Sequence, residues 1–155
     1  MKFEQYSVIK KQALAACGQE LTLLQDPKQL NPVILAYIGD AVFSLYVRMR
    51  LLPTSAQVRV LHNLGAQMVS AVMQAKAMDI LTEELTPEEA AIARRGRNTK
   101  STVPKSASVR EYRQGTAWEA LVGWLFLSEQ EERLGDFLDK SFAVIQKAMQ
   151  DKKNK

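Results

Sequence analysis

Between Pro32 and Leu52 the sequence PVILAYIGDAVFSLYVRMRLL is apolar on nearly every side of a helix, and no other segment limits the fold as much. Ile34, Ile38, Ala41, Leu45 and Met49 form one stripe at helical spacing, while Val33, Phe43 and Val47 crowd the opposite side. Asn31 precedes Pro32 as a capping side chain, and proline suits the first turn because its missing N–H would be unbonded there anyway. Such a helix lies in a core or is shared with a second copy of the chain, so the sequence predicts a homodimer.

The helical period continues through the rest of the chain, and no alternation of period two competes with it, so the fold class is all-α. Asp26-Pro27 is a second capped proline. Pro53, followed by Thr54 and Ser55 as caps, predicts one helix reaching about Leu81. Thr86-Pro87-Glu88-Glu89 and Ser108-Val109-Arg110-Glu111 are capping boxes, and each predicts a helix start. A final amphipathic helix is expected from about Glu131 to Met149, with Leu134, Phe137, Leu138, Phe142 and Ile145 on one face. These elements predict a helical extension over residues 1–26, a single body over 27–150 and a frayed tail over 151–155.

With 155 residues, 46% of them hydrophobic and 25% charged, the chain has enough apolar material for one core and too little polarity for disorder. The opening stretch is interrupted by Glu4, Gln5 and Lys10 to Gln12, which is not a secretory leader pattern, so a cytoplasmic location is expected. The longest uncharged apolar run falls short of the ~20 residues of a membrane helix, and no membrane association is expected. Cys17 and His62, the only residues of their kinds, make no zinc set and are expected to be ordinary core or surface residues.

Charge is unevenly spread. The net charge is only +4, yet residues 94 to 113 contain Arg94, Arg95, Arg97, Lys100, Lys105, Arg110 and Arg113 against the single acid Glu111. Gly96 to Ser106 is rich in turn formers and poor in apolar residues, and so reads as a basic loop. Arg94, Arg95, Arg97, Lys100, Lys105 and Arg113, with Asn98 as a hydrogen-bond donor, are the candidate contacts to a nucleic-acid backbone. Duplex RNA would be recognised mainly by shape across its minor groove. Tyr37, Phe43, Tyr46, Tyr112, Trp118 and Trp124 stand among aliphatic residues, and most are expected in the core.

Two carboxylates do not fit their surroundings. Asp40 is the only acid between Pro27 and Met78, and Glu119 is the sole charge in GTAWEALVGWLFL. An ionised carboxylate in an apolar setting costs several kcal/mol or more unless a cation or donors compensate. Either both acids bind one divalent cation, for which oxygen ligands suit Mg²⁺, or each pairs with an arginine such as Arg48 or Arg113.

Leu35 to Val42, LAYIGDAV, resembles the most diagnostic helix of the ribonuclease III family, with Gly39-Asp40-Ala41 matching in order. Thr116 to Gly123, TAWEALVG, is similar to that family's second acidic helix through Glu119-Ala120. Asp40 and Glu119 stand about 80 residues apart, and the resemblance covers roughly residues 27 to 150. Two of the four acids found in full-length members correspond to Ala36 and Thr116. The short mini-ribonuclease III branch has this reduced pattern, lacks a C-terminal double-stranded-RNA-binding domain, and has a basic stretch similar to Arg94-Arg95-Gly96-Arg97-Asn98.

The resemblance implies the helical fold of the ribonuclease III endonuclease domain. It also implies Mg²⁺-dependent cleavage of double-stranded RNA with 5′-phosphate products, Asp40 and Glu119 as catalytic metal ligands, and a homodimer that cuts both strands. For the mini branch it implies maturation of a large-subunit (23S) ribosomal RNA precursor. One alternative is a non-catalytic RNA-binding or ribosome-associated protein of the same fold, as the loss of two acids would suggest. A helical protein-interaction module is the other, but it leaves the acids and the basic loop without a purpose.

Overall fold

The computed structural model describes residues 3–16 and 26–154; Cys17 lies outside them, as does the expectation attached to it. Among the described residues the chain forms helices and no strand: α1 (Phe3–Ala16), α2 (Pro32–Leu51), α3 (Val58–Met68), α4 (Ala71–Leu81), α5 (Pro87–Arg97), α6 (Val109–Leu127) and α7 (Glu131–Lys153), with short 3₁₀ turns at Pro27–Gln29, Leu52–Thr54 and Thr82–Glu84. The caps at Asn31, Thr86 and Ser108 act as their residue types dictate. The Asn31 side chain accepts a hydrogen bond from Val33 N at 2.9 Å, and both capping boxes close, Thr86 with Glu89 and Ser108 with Glu111.

The structure departs from the expected boundaries in three places. Thr54 and Ser55 do not cap the helix after Pro53: α3 starts only at Val58 behind Gln57, which makes no side-chain capping bond, while Thr54 donates to Leu51 O at 2.6 Å and Ser55 Oγ accepts from Gln57 N at 3.0 Å. The single helix anticipated between Pro53 and Leu81 is two, broken at Val69-Ser70, where Ser70 caps α4 by accepting from Met73 N. α7 continues about one turn past Met149, through Lys153. Lysines in the last turn oppose the negative end of the helix dipole, which favours this extension.

α6 is the axis of the molecule, with α2, α4 and α5 packed around it and α7 covering α4. Trp118 is fully buried at its centre, 4.4 Å from the Phe43 ring and 5.9 Å from the Phe137 ring, and its indole N–H donates to Ser141 Oγ at 3.0 Å. Tyr46 and Trp124 are buried as expected of core aromatics, whereas Tyr112 is half-buried and Tyr37 is 76% exposed. The buried Glu89 of α5 pairs with Arg133 of α7 at 2.8 Å and tethers α5 to the α7 layer. From α1, Lys10 donates to the carbonyl of Phe126 at 3.0 Å, placing a cation at the C-terminal end of α6.

α2 buries only part of its apolar surface. Leu35, Phe43, Tyr46 and Val47 are in the core, but Val33, Ile34, Tyr37, Met49 and the following Leu52 are exposed in the single chain. By length and hydropathy Pro32–Thr54 passes for a membrane span; here it is a core helix with one uncovered apolar face.

Candidate active site

α2 and α6 pack backbone against backbone. A methyl group at Gly39 would sit 1.9 Å from the carbonyl oxygen of Glu119, and one at Gly123 would sit 1.9 Å from that of Leu35. Only hydrogen at both positions permits this contact. Asp40, next to Gly39, is thereby brought beside the turn of α6 that carries Glu119, and its charge reaches the Glu119 carboxylate.

The two acids differ in setting. Asp40 is exposed, which corrects the expectation of a carboxylate sunk among apolar side chains: it projects from the face of α2 that the core leaves uncovered. Glu119 is half-buried between α6 and α4. Loss of water around it pushes its carboxyl up to about 7; a hydrogen bond from Gln74 pulls the other way, and the negative charge of Asp40 adds to the rise.

Among the described residues neither acid forms an ion pair, so the alternative in which Arg48 or Arg113 neutralises them is absent. Arg48 and Arg113 are both exposed. Two neighbouring carboxylates without a cation, one of them open to solvent, suit a hard divalent ion that keeps most of its water. Ala36 and Thr116 supply no further carboxylate: Ala36 is buried, and the Thr116 hydroxyl donates to Tyr112 O at 3.0 Å. No group of three or more acidic, histidine or cysteine side chains that could hold a metal occurs among the described residues.

The basic segment is packed against the same helix. A methyl at Gly96 of α5 would lie 2.9 Å from Ala120 Cβ and 3.0 Å from Ala117 Cα, so α5 presses onto α6 on either side of Glu119 in sequence. Its candidate contacts then divide. Arg97 and Asn98 join Arg110, Arg113 and Gln114 around a cleft of about 550 Å³, in which Arg110 is held by Asp79 at 2.7 Å while Arg97 and Arg113 have no ion pair among the described residues. Arg94, Lys100 and Lys105 are exposed. Arg95 points elsewhere: its guanidinium donates to the carbonyls of Lys28 and of Leu30, the latter at 2.9 Å, and so fastens the Pro27–Gln29 turn to α5. Ser101, bonded to the Tyr112 hydroxyl at 2.8 Å, ties the loop back to α6.

Sequence reasoning missed Gln74. It is buried on α4, and its amide N–H donates to Glu119 Oε1 at 3.0 Å. The available signal was an amide flanked by small and apolar residues in AVMQA, where a long polar side chain needs a partner if it is buried.

The Ribonuclease III domain family model matches residues 34–130. Curated relatives include a mini-ribonuclease 3 of Thermoanaerobacter sp. (strain X514), 42% identical over 129 residues that span 82% of this chain and 91% of that one. Another, from Brevibacillus brevis, is 38% identical and is covered over 97% of its length, with 83% of this chain. A third, from Staphylococcus aureus, is 42% identical across 76% of this chain and 91% of its own. The crystal structure of a protein from Fusobacterium nucleatum superposes with a TM-score of 0.70 at 28% identity, over 75% of this chain and 94% of that one.

Proposed function

The chain belongs to the ribonuclease III family and is an endoribonuclease; we propose that, as a mini-ribonuclease III, it cuts double-stranded RNA with Mg²⁺ held by Asp40 and Glu119. The observation that carries this reading is the Gly39 contact, which brings together two carboxylates that form no ion pair among the described residues. When bound, the metal supplies an acidified water and neutralises charge on the phosphate. Glu119, with fewer waters around it and the Asp40 charge nearby, gains more from a cation than an exposed carboxylate does. Arg97 and Arg113, aided by the exposed Arg94, Lys100 and Lys105, draw the RNA backbone towards the α5–α6 side of the molecule.

The finer assignments belong to the same proposal. A two-fold pair of chains would cover Ile34, Tyr37 and Met49 on α2 and provide one site for each strand of a duplex. The resemblance to the mini branch supports a large-subunit (23S) ribosomal RNA precursor as substrate, 5′-phosphate products, and work in the cytoplasm. Incubation of duplex RNA with the purified chain, with and without Mg²⁺, tests the reading against an RNA-binding protein of the same fold. Cleavage only with the metal is expected; binding without cleavage at any metal concentration would overturn it.

A further inference from the structure

We propose that Gln74 is a positioning residue for Glu119, fixing one oxygen of the carboxylate so that the other is presented for metal binding. This rests on the reading of Asp40 and Glu119 as the metal site. Gln74 sits on α4, outside both acidic helices, and is 2% exposed. A buried amide must be hydrogen-bonded, and here its donor is Nε2, 3.0 Å from Glu119 Oε1.

The surroundings hold that amide in place. Gly115, one turn before Glu119, leaves the space it occupies: a methyl there would lie 3.0 Å from Gln74 Oε1 and 3.3 Å from Ala71 Cα and Cβ. α4 and α6 therefore close on the amide with little room for another rotamer. No hydrogen bond or ion pair among the described residues engages the second oxygen of Glu119.

Two carboxylates are few ligands for a divalent ion, so the orientation of each matters more than in a site with four. A neutral donor suits the task. It orders the carboxylate without cancelling the charge that attracts the cation, as an arginine or lysine in its place would. Gln74 thus acts through Glu119 and not on the RNA.

The test uses Gln74→Met, which keeps length and removes the donor, and Gln74→Asn, which keeps the amide but shortens its reach. Mn²⁺ binding to the RNA-free protein is titrated by electron paramagnetic resonance, and duplex cleavage is measured across Mg²⁺ concentrations, with Glu119→Gln alongside. Each Gln74 variant should bind Mn²⁺ roughly tenfold more weakly and need roughly tenfold more Mg²⁺ for half-maximal cleavage, with the rate at saturating Mg²⁺ within about threefold of the original. A lowered saturating rate or melting temperature with an unmoved metal midpoint in both variants would overturn the proposal and leave a packing role. If Gln74→Met does not fold, the midpoint of Gln74→Asn decides alone. Should Glu119→Gln bind Mn²⁺ and cleave normally, the metal site itself is wrong and the Gln74 proposal falls with it; an inactive Glu119→Gln beside unshifted Gln74 variants refutes Gln74 only.

Discussion

Gly39 of α2 lies against the peptide carbonyl of Glu119 so closely that a methyl group there would stand 1.9 Å from the oxygen. The spacing of the two acids is therefore set by backbone contact and not by their side chains. Gly39→Ala must force α2 and α6 apart, which is expected to destabilise the fold by roughly 3 kcal/mol, more than the helix propensity gained by alanine returns. Gly123→Ala should behave alike, since its methyl would meet Leu35 O at the same 1.9 Å. Urea denaturation of each variant measures this, and unchanged midpoints would contradict the close contact.

The basic segment should separate into grip and strut. Arg97→Ala and Arg113→Ala should each weaken duplex RNA binding and lower the slope of log affinity against log salt by about 1. Arg95→Ala should leave the slope alone and lower stability by roughly 1–2 kcal/mol, because its donors hold the carbonyls of Lys28 and Leu30. Filter binding across salt concentrations together with thermal melting distinguishes the two classes. A reduced salt slope for Arg95→Ala would reverse its assignment.

Glu119 gives the metal-free protein a pH dependence opposite to that of an ordinary paired carboxylate. Burial holds its carboxyl up to about 7 in the folded chain, against 4.5 for an unhindered glutamic acid, so the folded state binds this proton more tightly than the unfolded state. The contribution is fully present below about pH 4.5 and is lost as pH rises towards 7, by up to about 3 kcal/mol. Denaturation in chelator between pH 5 and 8 should show the original protein losing stability relative to Glu119→Gln as pH rises. Parallel curves would contradict the shift.

Much of this architecture was legible in the sequence because proline and capping chemistry mark helix starts locally. Asn31-Pro32, Thr86-Pro87 and Ser108 each begin a helix where the sequence places one. The break at Val69-Ser70 was not legible, since neither residue there is a glycine or proline and the helical pattern runs through it. The two acids were legible as misfits, but the exposure of Asp40 depended on which face of an all-apolar helix meets α6. The direction of Arg95 and the partner of Gln74 depend on packing between distant segments, which composition does not encode.

The exposed apolar face of α2 should be covered by a second copy of the chain. Ile34→Glu and Tyr37→Glu place charge on residues that are 49% and 76% exposed in the single chain, so folding should survive while association fails. Analytical ultracentrifugation should give a mass of twice 17.4 kDa for the original protein and 17.4 kDa for the variants. A monomer of the original at micromolar concentration would exclude the dimer.

Asp40→Asn and Glu119→Gln, each assayed for Mg²⁺-dependent duplex RNA cleavage and for melting temperature in chelator, test the two-carboxylate site most directly. Both substitutions keep size and remove charge. Cleavage should fall by at least about a hundredfold, since even loss of a group that only supports a metal ligand costs ten- to a hundredfold. The melting temperature should hold or rise, because neither acid forms an ion pair among the described residues, so no cation there is left unpaired. Full cleavage by either variant, or a large drop in its metal-free melting temperature, would contradict the account.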